Sequence, residues 1–440
     1  MGIPLMLPEL EWLTLGEKLA DGAMLYRDLW VSLEPLSAFT YFVLVAIAGK
    51  SVLALRICSL ILVYLQAIYF NHVCNRLSLY NEKSTYPGLF YIVFSTLFVD
   101  FLSLPPVLLA LSFLLLAFHV CILQIKFKPS NVGILYLSFF ISIATLFYMP
   151  MLVFIPVFIF SMLIFTTLNF RRFVLMLIGF SIPYLFLILY YFVFGSLDRM
   201  LEILPSGVDL FSSILYVSIS NIFPILILPV LLILAALVEV SGRSNYINFQ
   251  YSTFKFMLLG TLAAISTVLL KDTFSAYNFY VFVPFIAYFS THFFLLNKKS
   301  LFLKISFWTI LVVVPVLSAY YAYYSSSKHL QALLVQKEEN PYQIDLINKK
   351  LLVLGNDPGL YRNARLATPY YEWALVEPHF SSLNSMETLS VLYSDFERDM
   401  PEVIIDQKGV MQKVFYRIPM LEKKYRKLDE HPVYILENQE

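Results

Sequence analysis

The chain is dominated by a succession of apolar segments, each about as long as a lipid bilayer is thick. A helix needs about 20 apolar residues to cross the hydrocarbon core. Of the 440 residues 59% are hydrophobic and 14% are charged, against about 25% charged in a typical soluble domain. Lipid must therefore be the solvent for most of the chain. The sequence predicts about ten spans, at 52–73, 87–99, 105–123, 132–148, 150–168, 173–194, 213–238, 256–270, 277–296 and 305–323.

Charge and cysteine content exclude several classes of partner. The net charge of +1 gives no sign of a nucleic-acid partner. The cysteines, Cys58, Cys74 and Cys121, lie in or beside apolar segments and show no metal-ligand spacing. We expect them to be small apolar residues within helices.

Lysine and arginine are distributed unequally between the two sides of the predicted bundle. With residues 1–50 outside, the short outer loops hold only Arg199 and Lys271. Cytoplasmic loops attract lysine and arginine, so the asymmetry supports this orientation and an extracytoplasmic C-terminal domain. The inner loops hold Arg76, Lys83, Lys126, Lys128, Arg171, Arg172, Arg243, Lys255, Lys298, Lys299 and Lys304.

Three regions follow from these patterns. Residues 1–50 predict an extracytoplasmic loop with two interfacial amphipathic helices, near 8–21 and 36–48. Residues 51–325 form the predicted transmembrane domain, and 335–440 have the composition of a small soluble α/β domain. The predicted fold class is an all-α polytopic membrane bundle plus that domain. In the domain, strands are predicted at 351–355, 402–406 and 433–436, and helices near 370–377 and 386–398.

The first fifty-six residues carry an ordered set of motifs. They are Pro8, Glu9, Gly22, Tyr26-Arg27-Asp28, Trp30, Pro35-Leu36, Gly49-Lys50-Ser51 and Arg56. This segment resembles the first extracytoplasmic loop of GT-C-type glycosyltransferases, integral membrane enzymes that use polyprenyl-phosphate-linked sugars. As a whole, the chain looks closest to a bacterial branch of that architecture. The resemblance implies the bacterial inner (cytoplasmic) membrane, with a polyprenyl-phosphate-linked sugar and the lipid bilayer as partners.

The resemblance also implies roles for individual residues. Sugar transfer needs a base for the acceptor hydroxyl, and positive charge or a divalent metal ion for the departing phosphate. Glu9 takes the position of the base, and Asp100 that of a second acid. Further substrate-binding candidates are Glu11, Arg27, Asp28, Arg56 and Lys271.

Each candidate also has a structural interpretation. Glu9 could equally be a solvated acid that the helix dipole favours at a helix start, and Asp100 could be a solvated helix cap. Asp28 would then only pair with Arg27 or cap a turn, and Lys271 would belong to a hydrated loop with Asp272.

Three departures from the family pattern keep a second function open. Glu34 stands where many relatives carry lysine or histidine, and Glu9 and Glu11 replace an adjacent acidic pair. Relatives also carry a span before the acidic loop; here the start lies further upstream or the protein works without that helix. The alternative function is a non-catalytic GT-C-like envelope protein that serves as a structural or assembly partner. A transporter is disfavoured, because the sequence shows no internal repeat.

Overall fold

A computed structural model describes residues 5–167, 169–208, 214–215, 219–241, 246–271, 273–296, 301–325, 335, 342, 344–355, 357–367, 369–428 and 431–437. The chain divides into two compact units. The first unit contains residues 1–52, 191–206 and 331–440, and the second contains 53–190 and 207–330. Asp272 lies outside the described residues.

Helices account for most of the chain before the C-terminal region. They are α1 (Leu7–Ala20), α2 (Pro35–Ala48), α3 (Val52–Arg76), α4 (Tyr86–Phe94), α5 (Pro106–Lys126), α6 (Asn131–Phe147), α7 (Phe154–Phe165), α8 (Phe170–Val193), α9 (Leu197–Ile203), α10 (Ile219–Ser241), α11 (Asn248–Leu269), α12 (Val283–Leu296) and α13 (Leu301–Ser325). Two short strands of the second unit, β1 (Ile214–Leu215) and β2 (Thr273–Phe274), pair in parallel.

Apolar side chains cover the outer surface of several helices. On α8, Leu185 is 60% exposed and Phe186 is 71% exposed. Apolar surface of this extent is unfavourable in water at about 25 cal/mol per Å², so these helices indicate a lipid bilayer environment. Within the described residues, five helical segments are long and apolar enough to cross a membrane: Val52–Arg76, Pro106–Lys126, Phe170–Val193, Asn248–Leu269 and Ala276–Leu295. The predicted total of about ten spans stays a prediction.

One predicted span is interrupted, and the boundary predicted between 132–148 and 150–168 is present as a break in the helix. Helix α4 ends at Phe94, and the chain resumes with a 3-10 turn at Val99–Leu102. Tyr148 is extended, with φ −154°, and another 3-10 turn begins at Met149. Pro150 lacks the backbone N–H that a continuous helix would need, so α6 and α7 are separate helices and not one bent helix.

The predicted helices near 8–21 and 36–48 are present as α1 and α2, which pack against each other. The rings of Trp12 and Tyr41 stack with their centroids 5.4 Å apart. A Cβ atom at Gly16 would lie 2.7 Å from the carbonyl oxygen of Tyr41. Glycine therefore permits the close approach of the two helices.

The C-terminal region is built on a five-stranded sheet in the order β4-β3-β5-β7-β6. The strands are β3 (Lys350–Leu354), β4 (Arg365–Leu366), β5 (Val403–Asp406), β6 (Tyr425–Lys427) and β7 (Val433–Leu436). Strand β3 is parallel to β4 and β5, whereas β7 is antiparallel to β5 and β6. The helices are α14 (Trp373–Ser381), α15 (Met386–Arg398), α16 (Met411–Arg417) and α17 (Pro419–Glu422). The predicted small α/β layer is confirmed.

The first unit joins the two ends of the chain. The Trp30 N–H donates to the carbonyl oxygen of Pro369 at 2.9 Å, and the Val335 N–H donates to that of Leu5 at 3.0 Å. Residues 1–50 and 335–440, which were predicted as an outer loop and a C-terminal domain, belong to one compact unit. Helix α1 buries Leu10, Leu13 and Leu15, and part of this cover comes from β4.

Candidate functional site

Glu9, the predicted base, lies in the first turn of α1. Its side chain is completely buried, and its Oε2 accepts a hydrogen bond from the Met6 N–H at 3.1 Å. A carboxylate at this position accepts a hydrogen bond from an otherwise unpaired N–H at the helix terminus, and it interacts favourably with the positive end of the helix dipole. Glu9 is thus a helix-start acid, as the structural interpretation expected, but it is not solvated.

Glu11 differs from Glu9 in its surroundings. Two positions along an α-helix correspond to about 200° of rotation, so the two carboxylates leave α1 in different directions. Glu9 is buried and Glu11 is half-buried.

Arg27 and Asp28 lie in the loop between α1 and α2, and they contact each other. The Arg27 Nη2 donates to Asp28 Oδ2 at 2.7 Å, the Met24 N–H donates to the same oxygen at 2.9 Å, and Arg398 donates to Oδ1 at 3.0 Å. Asp28 therefore both pairs with Arg27 and caps a turn. Burial acts to raise the pKa of Asp28, but the hydrogen bonds and the charges of Arg27 and Arg398 lower it below its usual 3.8.

The backbone at this loop is held in a strained conformation. Tyr26 has φ +65°, which is uncommon for a residue other than glycine. Its hydroxyl donates to the carbonyl oxygen of Leu33 at 2.8 Å, and its ring packs against Tyr191. The buried tyrosine fixes the turn that presents Arg27 and Asp28.

A polar pocket of about 530 Å³ borders this loop within the first unit. Its volume is in the range of small-molecule sites. It is lined by four cations and four carboxylates together with small residues: Lys18, Arg27, Lys350, Arg398, Asp21, Asp28, Asp395, Asp399, Gly22, Ala23 and Pro369. We call it the ion-pair pocket.

Ion pairs cross the ion-pair pocket from α1 to the C-terminal region. Asp399 binds both Lys18 and Lys350, the latter at 2.8 Å. Burial acts to raise the pKa of Asp399, but these two ammonium groups lower it overall. Asp395 accepts from the Tyr370 hydroxyl at 2.8 Å, and burial raises its pKa. Lys18, Asp399 and Arg398 were missed from the sequence, because 370 or more residues separate Lys18 from Asp399 and Asp28 from Arg398, and no local motif marks them.

Asp100 and Lys271 are both buried in the second unit. Asp100 lies in the 3-10 turn between α4 and α5 and is 3% exposed, while Lys271 follows α11 and is 8% exposed. The Lys271 ammonium lies 5.9 Å from the centroid of the Tyr148 ring, within reach of a cation–π interaction. The predictions of a solvated cap for Asp100 and a hydrated loop for Lys271 are therefore wrong in their solvation.

A series of contacts links these two residues within the second unit. The Tyr280 ring stacks on Phe101, next to Asp100, with 4.1 Å between centroids. Tyr280 belongs to the 3-10 segment Ala276–Phe282, and Asn278 of that segment accepts from the Tyr148 hydroxyl at 3.4 Å. Tyr148 is the residue over whose ring Lys271 lies.

Arg56 lies near the same turn. It is the fifth residue of α3, and one helical turn further along, the Ser59 hydroxyl donates to the carbonyl oxygen of Ser103 at 2.6 Å. The Ser103 hydroxyl donates in turn to the Asp100 carbonyl oxygen at 2.5 Å. Asp100 and Lys271 are thus linked through Phe101, Tyr280 and Tyr148, whereas Arg56 is half-buried on α3, three residues before the serine that contacts this turn.

The seven predicted site residues fall into two groups. Glu9, Glu11, Arg27 and Asp28 belong to the first unit, and Asp100, Arg56 and Lys271 belong to the second. Convergence of the two groups on one cavity stays a prediction. Among the described residues, no three histidine, cysteine, aspartate or glutamate side chains gather as metal ligands do.

Comparison with known proteins adds no relative. A scan against models of protein families finds no match, and a search of curated proteins finds none either.

Proposed function

We propose that the chain is a membrane glycosyltransferase that moves a sugar from a polyprenyl-phosphate donor to a cell-envelope acceptor. In this proposal it crosses the bacterial inner membrane several times, and residues 335–440 and the reaction are on the outer face. Glu9 is the base that takes the proton of the acceptor hydroxyl. Asp100 assists it or holds a divalent metal ion, and Arg27, Arg56 or Lys271 binds the phosphate.

The observation that carries the proposal is the burial of charge at the ends of apolar helices. Asp100 and Lys271 are almost completely buried, although each side chain is costly to remove from water. Proteins retain such groups where an ion pair, a metal or a charged ligand offsets the cost, and these sites are often functional. A carboxylate and an ammonium group in one neighbourhood suit the transfer of a group from a phosphate, since one can assist proton transfer and the other can bind the leaving anion.

Glu9 is a second buried carboxylate, and it accepts a hydrogen bond at the start of α1. The Met6 N–H contact uses Oε2, and glutamine at this position offers a carbonyl oxygen in the same place. Glu9→Gln therefore preserves the helix-start contact while it removes the basic carboxylate.

The proposal is tested by measuring sugar transfer in cells that lack the native chain and express one variant at a time. We expect Glu9→Gln to reduce sugar incorporation into the envelope acceptor by about 10² to 10⁴-fold, the usual effect of losing a general base. Incorporation is measured by mass spectrometry of envelope glycans. The amount of folded protein is measured as the yield of monodisperse protein after detergent extraction. Glu11→Gln is the matched control on the same helix, and it should retain at least a tenth of wild-type transfer. Full transfer in Glu9→Gln would remove Glu9 from the mechanism.

The non-catalytic alternative has one observation in its favour. Glu34, which stands where the resembling enzymes carry lysine or histidine, is buried. An acid there repels a phosphate instead of binding it. A Glu9→Gln/Asp100→Asn double variant that keeps the wild-type envelope phenotype would select this alternative, because a structural partner needs neither carboxylate for chemistry.

A further inference from the structure

Positive charge is concentrated in one segment of the C-terminal region. Residues 345–410 hold six lysines and arginines against ten acids, whereas 411–428 hold six lysines and arginines against one acid, Glu422. Asp429 and Glu430 follow in the sequence, outside the described residues. The contrast between the two stretches indicates a local role for the charge, since the chain as a whole is nearly neutral.

The fold presents this segment as an amphipathic layer. Helices α16 and α17 and the edge strand β6 bury Met411, Val414, Phe415, Ile418, Leu421 and Tyr425. The positions between them are largely exposed, and five of these carry lysine or arginine. We call these five cations, together with Tyr416 and Met420, the basic face: Lys413, Tyr416, Arg417, Met420, Lys423, Arg426 and Lys427.

Two large apolar side chains stand among the cations of the basic face. Tyr416 is 83% exposed and Met420 is 65% exposed. A groove of about 570 Å³ adjoins Tyr416, lined in part by Lys413, Arg417 and Asn384. Exposed apolar residues surrounded by lysine and arginine are typical of surfaces that rest in the headgroup region of a membrane.

We propose that the basic face docks on an anionic lipid surface, with Tyr416 and Met420 at headgroup depth and the cations on lipid phosphates. Charge complementarity supports this occupant, and the chain's own apolar helices keep a bilayer within reach. Local acids reduce the attraction without cancelling it: Glu422 is on α17, and Glu437 donates its backbone N–H to the Lys424 carbonyl oxygen. The proposal is independent of sugar transfer.

The experiment uses the full chain in lipid nanodiscs of two compositions, pure phosphatidylcholine and a mixture with about one third phosphatidylglycerol. Cys58 is the exposed cysteine, so Cys58→Ser gives a background in which Tyr416→Cys can carry a fluorophore. Quenching by headgroup-labelled lipid reports contact with the bilayer. We expect strong quenching in anionic discs, and its loss in high salt because surface charges are screened.

Two controls make the result specific. Ile347→Cys, also an exposed apolar position of the first unit but three residues before β3, should be quenched equally weakly in both lipids. Lys413→Gln/Arg417→Gln should lower the ratio of the docked to the undocked state of the basic face about 25-fold, at about fivefold per cation near an anionic surface. A Met420→Cys label that behaves like the Tyr416→Cys label guards against a local effect of either substitution.

Three outcomes would overturn the proposal. Quenching at Tyr416→Cys no stronger than at Ile347→Cys would exclude docking. Equal quenching in neutral and anionic discs would exclude lipid charge as its cause. Release from the lipid by a soluble anionic polysaccharide at micromolar concentration would assign the basic face to an envelope polymer instead.

Discussion

Asp28, Asp395 and Asp399 line one pocket, yet their pKa values are shifted in different directions. Asp28 and Asp399 each contact two basic side chains, so the folded state favours their charged forms and their pKa values are lowered. Burial dominates at Asp395 and raises its pKa, although Tyr370 donates a hydrogen bond to it. The difference follows from the number of cations within contact distance and not from residue type.

This difference predicts opposite contributions to stability as the pH changes. The contribution of Asp28 and Asp399 is fully present above their unfolded pKa of about 3.8, and it is lost as the pH falls through their lower folded values. Asp395 imposes a cost when ionised, and this cost is relieved as the pH falls through its raised folded pKa. We expect stability to rise slightly on mild acidification and to fall below pH of about 4.

The substitution Asp28→Asn tests the contribution of the Asp28 charge to stability. Asparagine keeps an acceptor for the Met24 N–H but loses the charge that Arg27 and Arg398 neutralise. These pairs are partly exposed, so we expect a loss of about 0.5–1 kcal/mol at pH 7. The difference from wild type should become smaller as the pH falls below about 3.8, because Asp28 then loses its charge. Thermal unfolding followed by tryptophan fluorescence measures both values. Asp395→Asn is the control, and it should stabilise the protein at pH 7; a loss of equal size in both variants would refute the assignment.

At the scale of elements, α1 and α2 depend on one glycine. A methyl group at Gly16 would approach the Tyr41 carbonyl oxygen to 2.7 Å and Val45 Cγ2 to 2.8 Å. Contacts this short force the helices apart and disturb the Trp12–Tyr41 stack. The helices themselves are predicted by their apolar patterns; their contact is not, because the pattern gives each helix's buried face without its partner.

We expect Gly16→Ala to destabilise the first unit by about 1–3 kcal/mol, the usual cost of overpacking. The gain in helix propensity of alanine over glycine, about 1 kcal/mol, offsets part of this cost. The measurement is thermal unfolding of the purified protein. Adding Val45→Ala removes one of the two close contacts and should restore only part of the stability, since the Tyr41 carbonyl remains. Full stability in Gly16→Ala alone would show that α1 and α2 can separate freely.

Local patterns predicted the elements better than their interruptions. Strands β3, β5 and β7 are apolar runs and were found, whereas β4 and β6 have two and three residues, too few to show a period. The break between α6 and α7 depends on the extended conformation of Tyr148. From the sequence alone, Met149-Pro150 is equally compatible with a tight turn and with a kink in one bent helix.

At the scale of the whole molecule, the candidate site depends on contacts between distant parts of the sequence. The Tyr26-Arg27-Asp28 motif could be read locally, but its partner Arg398 is 370 residues away. Likewise, Asp100 and Lys271 are linked through packing of Tyr148 and Tyr280 that no local pattern predicts. Sequence patterns identified the charged residues, and long-range packing decided which of them meet.

The C-terminal region therefore supports the N-terminal loop, and removing it should expose that loop. Ser32 donates to the Glu372 carboxylate from its N–H at 2.8 Å and from its hydroxyl, and Lys50 donates to the Tyr361 carbonyl oxygen at 3.1 Å. Deletion of 335–440 removes these partners together with Asp399 and Arg398. Native-state cleavage requires local opening, so we expect trypsin to cut after Lys18 and Arg27 at least tenfold faster in the truncated chain.

The full-length variant Glu372→Ala separates loop anchoring from loss of the whole region. It removes the acceptor of Ser32 while the ion-pair pocket and the sheet are retained. Because the Trp30 N–H still donates to Pro369, cleavage after Arg27 should rise only a few-fold, and cleavage after Lys18 should stay at the wild-type rate. Cleavage within the second unit, at Lys83 for example, serves as the internal reference in the same digest. If truncation leaves the rates after Lys18 and Arg27 unchanged relative to Lys83, the loop is held by something other than the C-terminal region.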